Sequence, residues 1–392
     1  MSTWIAQGQL ALVNALIVFV VTFVPVVAWQ YRRYGRPNAA RLLGAFGLAS
    51  YTTALLTYTW LPLPDRDTLD CTRAPIPQAV PGAFVGDIAR ALDRFGLPDA
   101  LWSFTVLQVV LNVVLFVPWG VVVRQFLHRG LLVATLSGFG ASVFIETAQL
   151  TGLFGIYPCA YRTFDVDDVL TNTLGALIGA LIAPLLLAWM PHARDLAVQR
   201  HVPRPVTMVR RWLGMLADAF AFTVLSAVLS ILTLVGALVL GVDTSGGIAS
   251  LGWVGFAITV GIPWIVCFVV PPWGGYAASG GQYMVWLTPM WLDSAGELTH
   301  GTLVQRLVRA HVVPGPMLLT LVLDWWLKLD PWASLPWLVI AATAVVMVPF
   351  TRTFRSLSGV VTGCEVVDIR TVDDIPDEVI PPVLPTRDHP VI

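Results

Sequence analysis

Acidic and amide side chains stand inside apolar stretches that otherwise suit a membrane. Glu146 lies in SVFIETAQL, and Gln149 follows three residues later on the same helix face. Glu146 is roughly 16 Å from the outer end of its helix at about 1.5 Å per residue, and Asn112 lies at similar depth, within donating reach. A carboxylate at mid-bilayer costs about 2.5–3.5 kcal/mol on insertion scales. We therefore expect these side chains to face a bundle interior, either as a functional site or as a hydrogen-bonded lock between helices.

A second polar group follows in the chain, at the start of the next apolar stretch. Asp165, Asp168 and Asn172 are spaced three and four residues apart, which places them on one helix face. Arg162 can pair with these carboxylates or bind an anionic headgroup. Asp165 or Asp167 can instead cap the helix. Together the two groups predict an outward-facing polar cavity, with the candidate ligand-binding residues Asn112, Glu146, Gln149, Arg162, Asp165, Asp168 and Asn172.

A membrane-spanning helical bundle is needed to position these side chains. The 392 residues are 56% hydrophobic and only 12% charged, whereas a soluble domain has about 25% charged residues. This excludes an ordinary cytosolic enzyme and a disordered chain, and the net charge of −1 offers no basic field for nucleic acid. The predicted fold class is all-α, a polytopic transmembrane helical bundle of about nine spans. The predicted spans are 4–29, 42–63, 101–123, 131–157, 169–190, 212–240, 251–270, 314–329 and 335–351.

The distribution of Lys and Arg orients these spans and the connecting segments divide them. With the N-terminus outside, the inner segments contain 17 of the 23 basic residues, so the C-terminus is predicted to be cytoplasmic. The Pro- and Arg-rich cytoplasmic linker 191–209 separates a five-helix domain, 1–190, from a four-helix domain, 210–351. The acidic, Pro-rich residues 352–392 predict a loosely ordered cytoplasmic tail.

The four cysteines and the catalytic motifs give a narrower prediction. Cys71 and Cys159 both fall in predicted outer loops, where an oxidising exterior permits a disulfide. No metal-ligand spacing, HExxH, GxSxG, CxxC or Walker loop occurs, so we expect no metal and no cofactor. Whether the protein is an enzyme stays open, and the missing nucleophile favours a role without catalysis.

Three motifs carry a resemblance to the VanZ-like family. They are LNVVLFVPWG (111–120), SVFIETAQL (142–150) and RTFDVDDVLTNTLGALIG (162–179). The family pattern has an Asn followed by Pro and Gly in one helix and Glu-x-x-Gln in the next. An Arg, Asp-x-Asp-Asp and Asn-x-x-Gly come after them. This chain has every element in order. The resemblance covers about 101–185, with the first two helices completing the domain. The loop TGLFGIYPCAY between Gln149 and Arg162 departs from the pattern.

The second block is similar to the RDD family, named for an Arg and two Asp. RRWLGMLADAF (210–220) resembles its opening, with Arg211 and Asp218 at the Arg and first Asp. Residues 280–310 resemble its cytoplasmic loop, with Asp293 at the second Asp. The family usually has a basic residue shortly after the Gly-Gln position, where this chain has the apolar residues 284–287.

The resemblances imply a multi-pass protein of the bacterial plasma membrane with a role in the cell envelope. VanZ-like proteins are associated with sensitivity to glycopeptide antibiotics of the teicoplanin type. The RDD resemblance implies a membrane domain of unestablished function, with transport as one candidate. The expected partners are membrane lipids, with a cell-wall precursor or a glycopeptide as candidate ligands. The alternative is a transporter or lipid-modifying enzyme that uses Glu146 as proton carrier or base.

Overall fold

The structure is a computed structural model that describes residues 2–61, 63, 65, 69–73, 75–328 and 331–372. For residues 2–12, 73, 331 and 333 it describes the backbone alone. The chain divides into two compact units, Met1–Val21 with Ala39–Pro191 and Thr22–Asn38 with His192–Ile392. The long first helix therefore contributes residues to both units.

The first unit is built from long apolar helices, as the sequence predicts. Its helices are α1 (Ser2–Tyr34, shared with the second unit), α2 (Ala39–Trp60), α3 (Ala83–Ala100), α4 (Phe104–Val121), α5 (Leu131–Leu150) and α6 (Val166–Leu186). The sequence FVGDIARALDRFGL, residues 84–97, lies within α3. A π-helical turn, Val122–Phe126, extends α4 after Pro118.

Helices α4 and α6 approach so closely that their backbones touch. A Cβ on Gly179 would lie 1.9 Å from the carbonyl oxygen of Val117, and one on Gly120 would lie 2.0 Å from that of Ala176. Small residues permit this approach between helices in a membrane, where packing rather than the hydrophobic effect drives association. The contact fixes the polar first turn of α6 against α4.

The second unit combines helices with a small sheet. Its longer helices are α7 (Met208–Val239), α8 (Leu303–His311), α9 (Pro314–Leu327) and α10 (Leu335–Val346), and a helical segment with π-helical turns covers Gly247–Trp273. Its strands are β1 (Leu287–Leu292), β2 (Leu298–Thr299) and β3 (Glu365–Asp368). The strand order is β2-β1-β3, and both pairings are antiparallel.

The all-α polytopic fold class is confirmed, but the number of spans is lower than predicted. Seven helices of the described chain are long and apolar enough to cross a membrane, or eight if α8 and α9, bent by 55°, form one span. The ninth predicted span, 335–351, contains the 12-residue helix α10. Such a helix is about 18 Å long and does not cover a hydrocarbon core of about 30 Å.

The prediction of a loosely ordered tail is wrong for its first residues. Leu357–Thr362 is helical, and β3 pairs with β1 in a register that aligns Leu287 with Asp368. All four residues of β3 are buried. The acidic residues of this strand gave the segment the composition of a tail, although its two adjacent valines, Val366 and Val367, are buried. Residues 373–392 lie outside the described part of the chain.

Candidate functional site

Arg162 holds the C-terminal end of α2. Its Nη1 donates to the carbonyl oxygens of Tyr58 (2.9 Å) and Thr59 (3.2 Å), and its Nη2 donates to that of Leu61 (2.8 Å). The last carbonyls of a helix have no partner within the helix and carry partial negative charge, which a guanidinium satisfies. Gln149 donates to the Thr59 carbonyl as well, at 2.6 Å. These guanidinium donors of Arg162 serve the protein's own backbone.

Glu146 is buried beside this clamp. Its side chain is 3% exposed, and its Oε2 accepts the backbone N–H of Asp165 at 3.0 Å. Arg162 and Asp168 both interact with it electrostatically. The glutamate therefore ties α5 to the loop that leads into α6.

Asp165 is the N-cap of α6, as one of the two readings of the sequence predicts. Its Oδ1 accepts the backbone N–H of Asp167 at 2.9 Å, and Gln78 donates to the same carboxylate at 3.2 Å. Partial burial raises the pKa of the Asp165 carboxyl. An N-cap oxygen satisfies one of the free N–H groups at a helix start.

Asp167 organises a different helix, which sequence reasoning missed. Its carboxylate accepts the backbone N–H groups of Gly82 (2.6 Å) and Phe84 (2.9 Å) at the start of α3. Gln78 also donates to it at 3.2 Å, and the backbone of Gln78 pairs with residues 164–166. More than 80 residues separate these partners, so no local sequence pattern indicates the contact.

Asp168 lies against α4. Its Oδ1 accepts Asn112 Nδ2 at 2.5 Å and Gln108 Nε2 at 3.4 Å. The expectation that Asn112 donates to Glu146 is therefore wrong. The close approach of α4 and α6 brings the first turn of α6 to Asn112 instead.

Asn172 lies one turn further along α6 and is 5% exposed. Its Nδ2 donates to Ser142 Oγ of α5 at 2.8 Å, whereas its buried Oδ1 has no hydrogen-bond partner in the described chain. Glu146 Oε1 and Asp168 Oδ2 likewise accept no hydrogen bond from any described residue. The site thus holds three acceptor oxygens that its own described donors leave unused.

A disulfide joins Cys71 and Cys159 across the loops of the first unit. Their Cα atoms are 5.7 Å apart, and 88 residues separate them in sequence. The bond ties the segment before Gln78 to the loop before Arg162. Both segments carry residues of the polar site.

The three RDD-motif residues have different surroundings in the second unit. Buried Arg211 donates to the Phe354 carbonyl and to Ser356 Oγ, each at 3.2 Å. Asp218 accepts Ser279 Oγ and the Gly281 N–H, each at 2.6 Å. Arg211 and Asp218 interact electrostatically, without a direct hydrogen bond.

Asp293 does not join this pair. Its Oδ1 accepts the backbone N–H groups of Ala295 (2.8 Å) and Glu297 (2.9 Å) in the exposed turn between β1 and β2. The carboxylate stabilises a turn, a common use of Asp.

Comparison with known proteins adds one finding to this geometry. The sequence model of the VanZ/LLP1 family matches residues 48–187. This part of the chain is VanZ-like. No curated protein and no solved structure was found to match the chain.

The VanZ-like region contains every residue of the polar site and both bonded cysteines. It ends before α7, so Arg211, Asp218 and Asp293 lie outside it and the RDD assignment stays a prediction. The described residues contain no group of three or more His, Cys, Asp or Glu side chains that could hold a metal ion.

Proposed function

We propose that this VanZ-like membrane protein lowers sensitivity to lipid-bearing glycopeptides of the teicoplanin type by binding a ligand at its polar site. The observation that carries the proposal is the set of three unused acceptor oxygens on Glu146, Asp168 and Asn172. Two belong to carboxyl groups, so the site suits an ammonium or N–H donor on a lipid, a cell-wall precursor or the antibiotic.

The surrounding contacts support a preorganised site. Arg162 holds α2, Asp165 caps α6 and Asp167 holds α3, so neighbouring elements are fixed by hydrogen bonds before any ligand binds. A rigid arrangement of acceptors reduces the entropy lost on binding. Sites of this kind bind well without needing a nucleophile.

The alternative, in which Glu146 carries protons for transport or catalysis, has less support. A relay needs titratable groups that continue from Glu146 toward the other end of the bundle. Among described residues, α5 has none from Leu131 to Ile145, and α6 has none after Asp168. Ser142 and Asn172, which continue the polar contacts below Glu146, do not ionise near neutral pH.

The test is antibiotic sensitivity in a host that lacks the gene and carries each variant. Glu146→Gln keeps an oxygen that can accept the Asp165 N–H while removing the ionised carboxylate. We expect it to accumulate normally and to lose protection against teicoplanin, with vancomycin measured in parallel. Asp93→Asn is the matched control, because Asp93 is an exposed carboxylate on α3, and it should protect fully.

Equal sensitivity of the deleted and complemented strains to both drugs would contradict the resistance proposal. Full protection by Glu146→Gln would leave glycopeptide protection in place but assign Glu146 the role of a hydrogen-bonded lock between helices.

A further inference from the structure

Three arginines of the second unit lie over the ring of one tryptophan, and three more belong to the same electrostatic group; we call the six the arginine cluster. Its members are Arg32, Arg36, Arg200, Arg204, Arg210 and Arg370. The ring of Trp286 lies 4.0 Å from the guanidinium carbon of Arg32, 5.1 Å from that of Arg370 and 5.7 Å from that of Arg200. Trp286 is fixed in turn, because its Nε1 donates to the Tyr31 carbonyl at 2.8 Å.

One carboxylate compensates two members of the cluster. Arg370 donates to Asp368 Oδ1 (2.8 Å) and Oδ2 (2.6 Å), and Arg210 donates to Oδ2 at 2.7 Å. Burial alone would raise the pKa of Asp368, but the two guanidiniums outweigh it and hold that pKa below its ordinary value. No other carboxylate of the described chain hydrogen-bonds any member of the cluster. The guanidiniums of the other four arginines form no ion pair with a described carboxylate, and Arg204 reaches Asp368 only through its backbone N–H, at 3.1 Å.

Two of these four arginines also have an N–H donor without an acceptor in the described chain. The Nε atoms of Arg200 and Arg204 are buried and have no hydrogen-bond partner among the described residues. Burial lowers the pKa of Arg204, and the neighbouring guanidiniums of Arg36, Arg370 and Arg210 lower it further. Holding like charges together costs free energy unless an anion joins them.

The position of the cluster suits the surface of a bilayer. Helix α1, a candidate span, ends at Tyr34, and α7, another candidate span, begins at Met208. Most cluster residues belong to the last turn of α1, the segment after it, the segment before α7 or the first turn of α7. Basic pockets at helix ends bind the phosphate of anionic lipids.

We propose that the arginine cluster around Trp286 binds the phosphate oxyanion of an anionic lipid headgroup. A free phosphate ion offers the same oxygen acceptors, so the experiment includes both. The cation–π contacts with Trp286 keep the guanidiniums oriented while their outer N–H groups meet the phosphate.

The experiment uses the full chain in nanodiscs of phosphatidylcholine, with or without about a third of phosphatidylglycerol. Lipid binding is measured by native mass spectrometry and thermal unfolding by intrinsic fluorescence. We expect phosphatidylglycerol to raise the Tm of the wild type. In Arg200→Gln/Arg204→Gln, binding should weaken about thirtyfold, since each basic residue near an anionic surface contributes about fivefold. Exposed Arg352, outside the cluster, provides the control Arg352→Gln, which should retain the Tm shift.

Each further outcome decides the proposal. A Tm shift reproduced by millimolar inorganic phosphate in phosphatidylcholine discs assigns the site to a free oxyanion instead of a lipid. An unchanged phosphatidylglycerol shift in the double variant overturns the proposal, as does an equal loss in Arg352→Gln. Unfolding of the double variant in phosphatidylcholine alone also overturns it, because removing uncompensated charges should leave the empty protein at least as stable.

Discussion

At the scale of single residues, Arg162 separates what the sequence can predict from what it cannot. Its position before three Asp residues predicts membership of the polar site, and the structure places it there. Its role depends on the carbonyls of Tyr58, Thr59 and Leu61, which lie about 100 residues earlier in the chain. Every residue supplies a carbonyl, so no residue type marks such a partner in the sequence.

Replacing Arg162 should therefore destabilise the first unit. We expect Arg162→Ala to lower the free energy of unfolding by about 3 kcal/mol, because it leaves part-buried carbonyls at the end of α2 without charged donors. Chemical unfolding of the purified protein in detergent measures this loss. Arg90→Ala is the control, since Arg90 forms an exposed ion pair with Asp87, and exposed pairs contribute little. A stability equal to wild type would mean that Arg162 is free to serve a ligand.

Asp167 gives a second lesson at this scale. The sequence favours a cap at the start of α6 and leaves open whether Asp165 or Asp167 provides it. The local spacing predicts the start of α6. It does not predict that the first N–H groups of α3 donate to Asp167, because Asp167 lies far from them in the chain. Contacts of this kind follow from the tertiary fold, which the helical period does not encode.

At the scale of elements, the contact of α4 with α6 positions Asn112 against Asp168. Gly179 allows this contact, and a Cβ there would meet the Val117 backbone at 1.9 Å. We expect Gly179→Ala to destabilise the protein by about 1–3 kcal/mol, as overpacking does, because a backbone carbonyl cannot move aside alone. Gly140→Ala on α5 is the control, since a Cβ there meets nothing within 4 Å. Thermal unfolding in detergent distinguishes the two; equal Tm values would contradict the close contact.

The disulfide is an element-scale constraint on the same site. Its loop spans 88 residues, and cross-links over such loops stabilise by about 4–5 kcal/mol in the chain-entropy model. We expect Cys71→Ser to lower the Tm and to loosen the Gln78 segment that contacts Asp165 and Asp167. Hydrogen exchange of residues 75–85 measures the loosening. Cys267→Ser, which changes a free cysteine, should leave that exchange unchanged.

The sheet of the second unit contains a strand, β3, that composition does not predict. β3 carries Glu365 and Asp368 among valines, and Arg355 and Arg210 pair with those carboxylates in the fold. Charge in a terminal segment indicates a solvated tail only when no opposite charge meets it. The long apolar helices can be predicted without knowing which charges meet in the fold. The strand cannot, because its acidic residues are balanced by arginines from other parts of the chain.

At the scale of the whole molecule, the distribution of basic residues predicts an orientation. With the N-terminus outside, 17 of 23 Lys and Arg are inside, and the reverse orientation would place those 17 outside. With an odd number of spans, seven or nine, this predicted orientation puts α3 and the disulfide outside and the segment after α10 in the cytoplasm.

Cysteine labelling of intact cells tests this orientation. Asp93 on α3 and Arg352 after α10 are both exposed, so Asp93→Cys and Arg352→Cys present reactive thiols on predicted opposite sides. A membrane-impermeant maleimide should label Asp93→Cys in intact cells, and Arg352→Cys after permeabilisation only. The parent gives the background: Cys71 and Cys159 are bonded, Cys364 is fully buried, and free, half-buried Cys267 is present in the parent and in both variants. The reverse pattern would place the polar site on the cytoplasmic side, beyond the reach of an external antibiotic, and would contradict the proposed protection as well as the orientation.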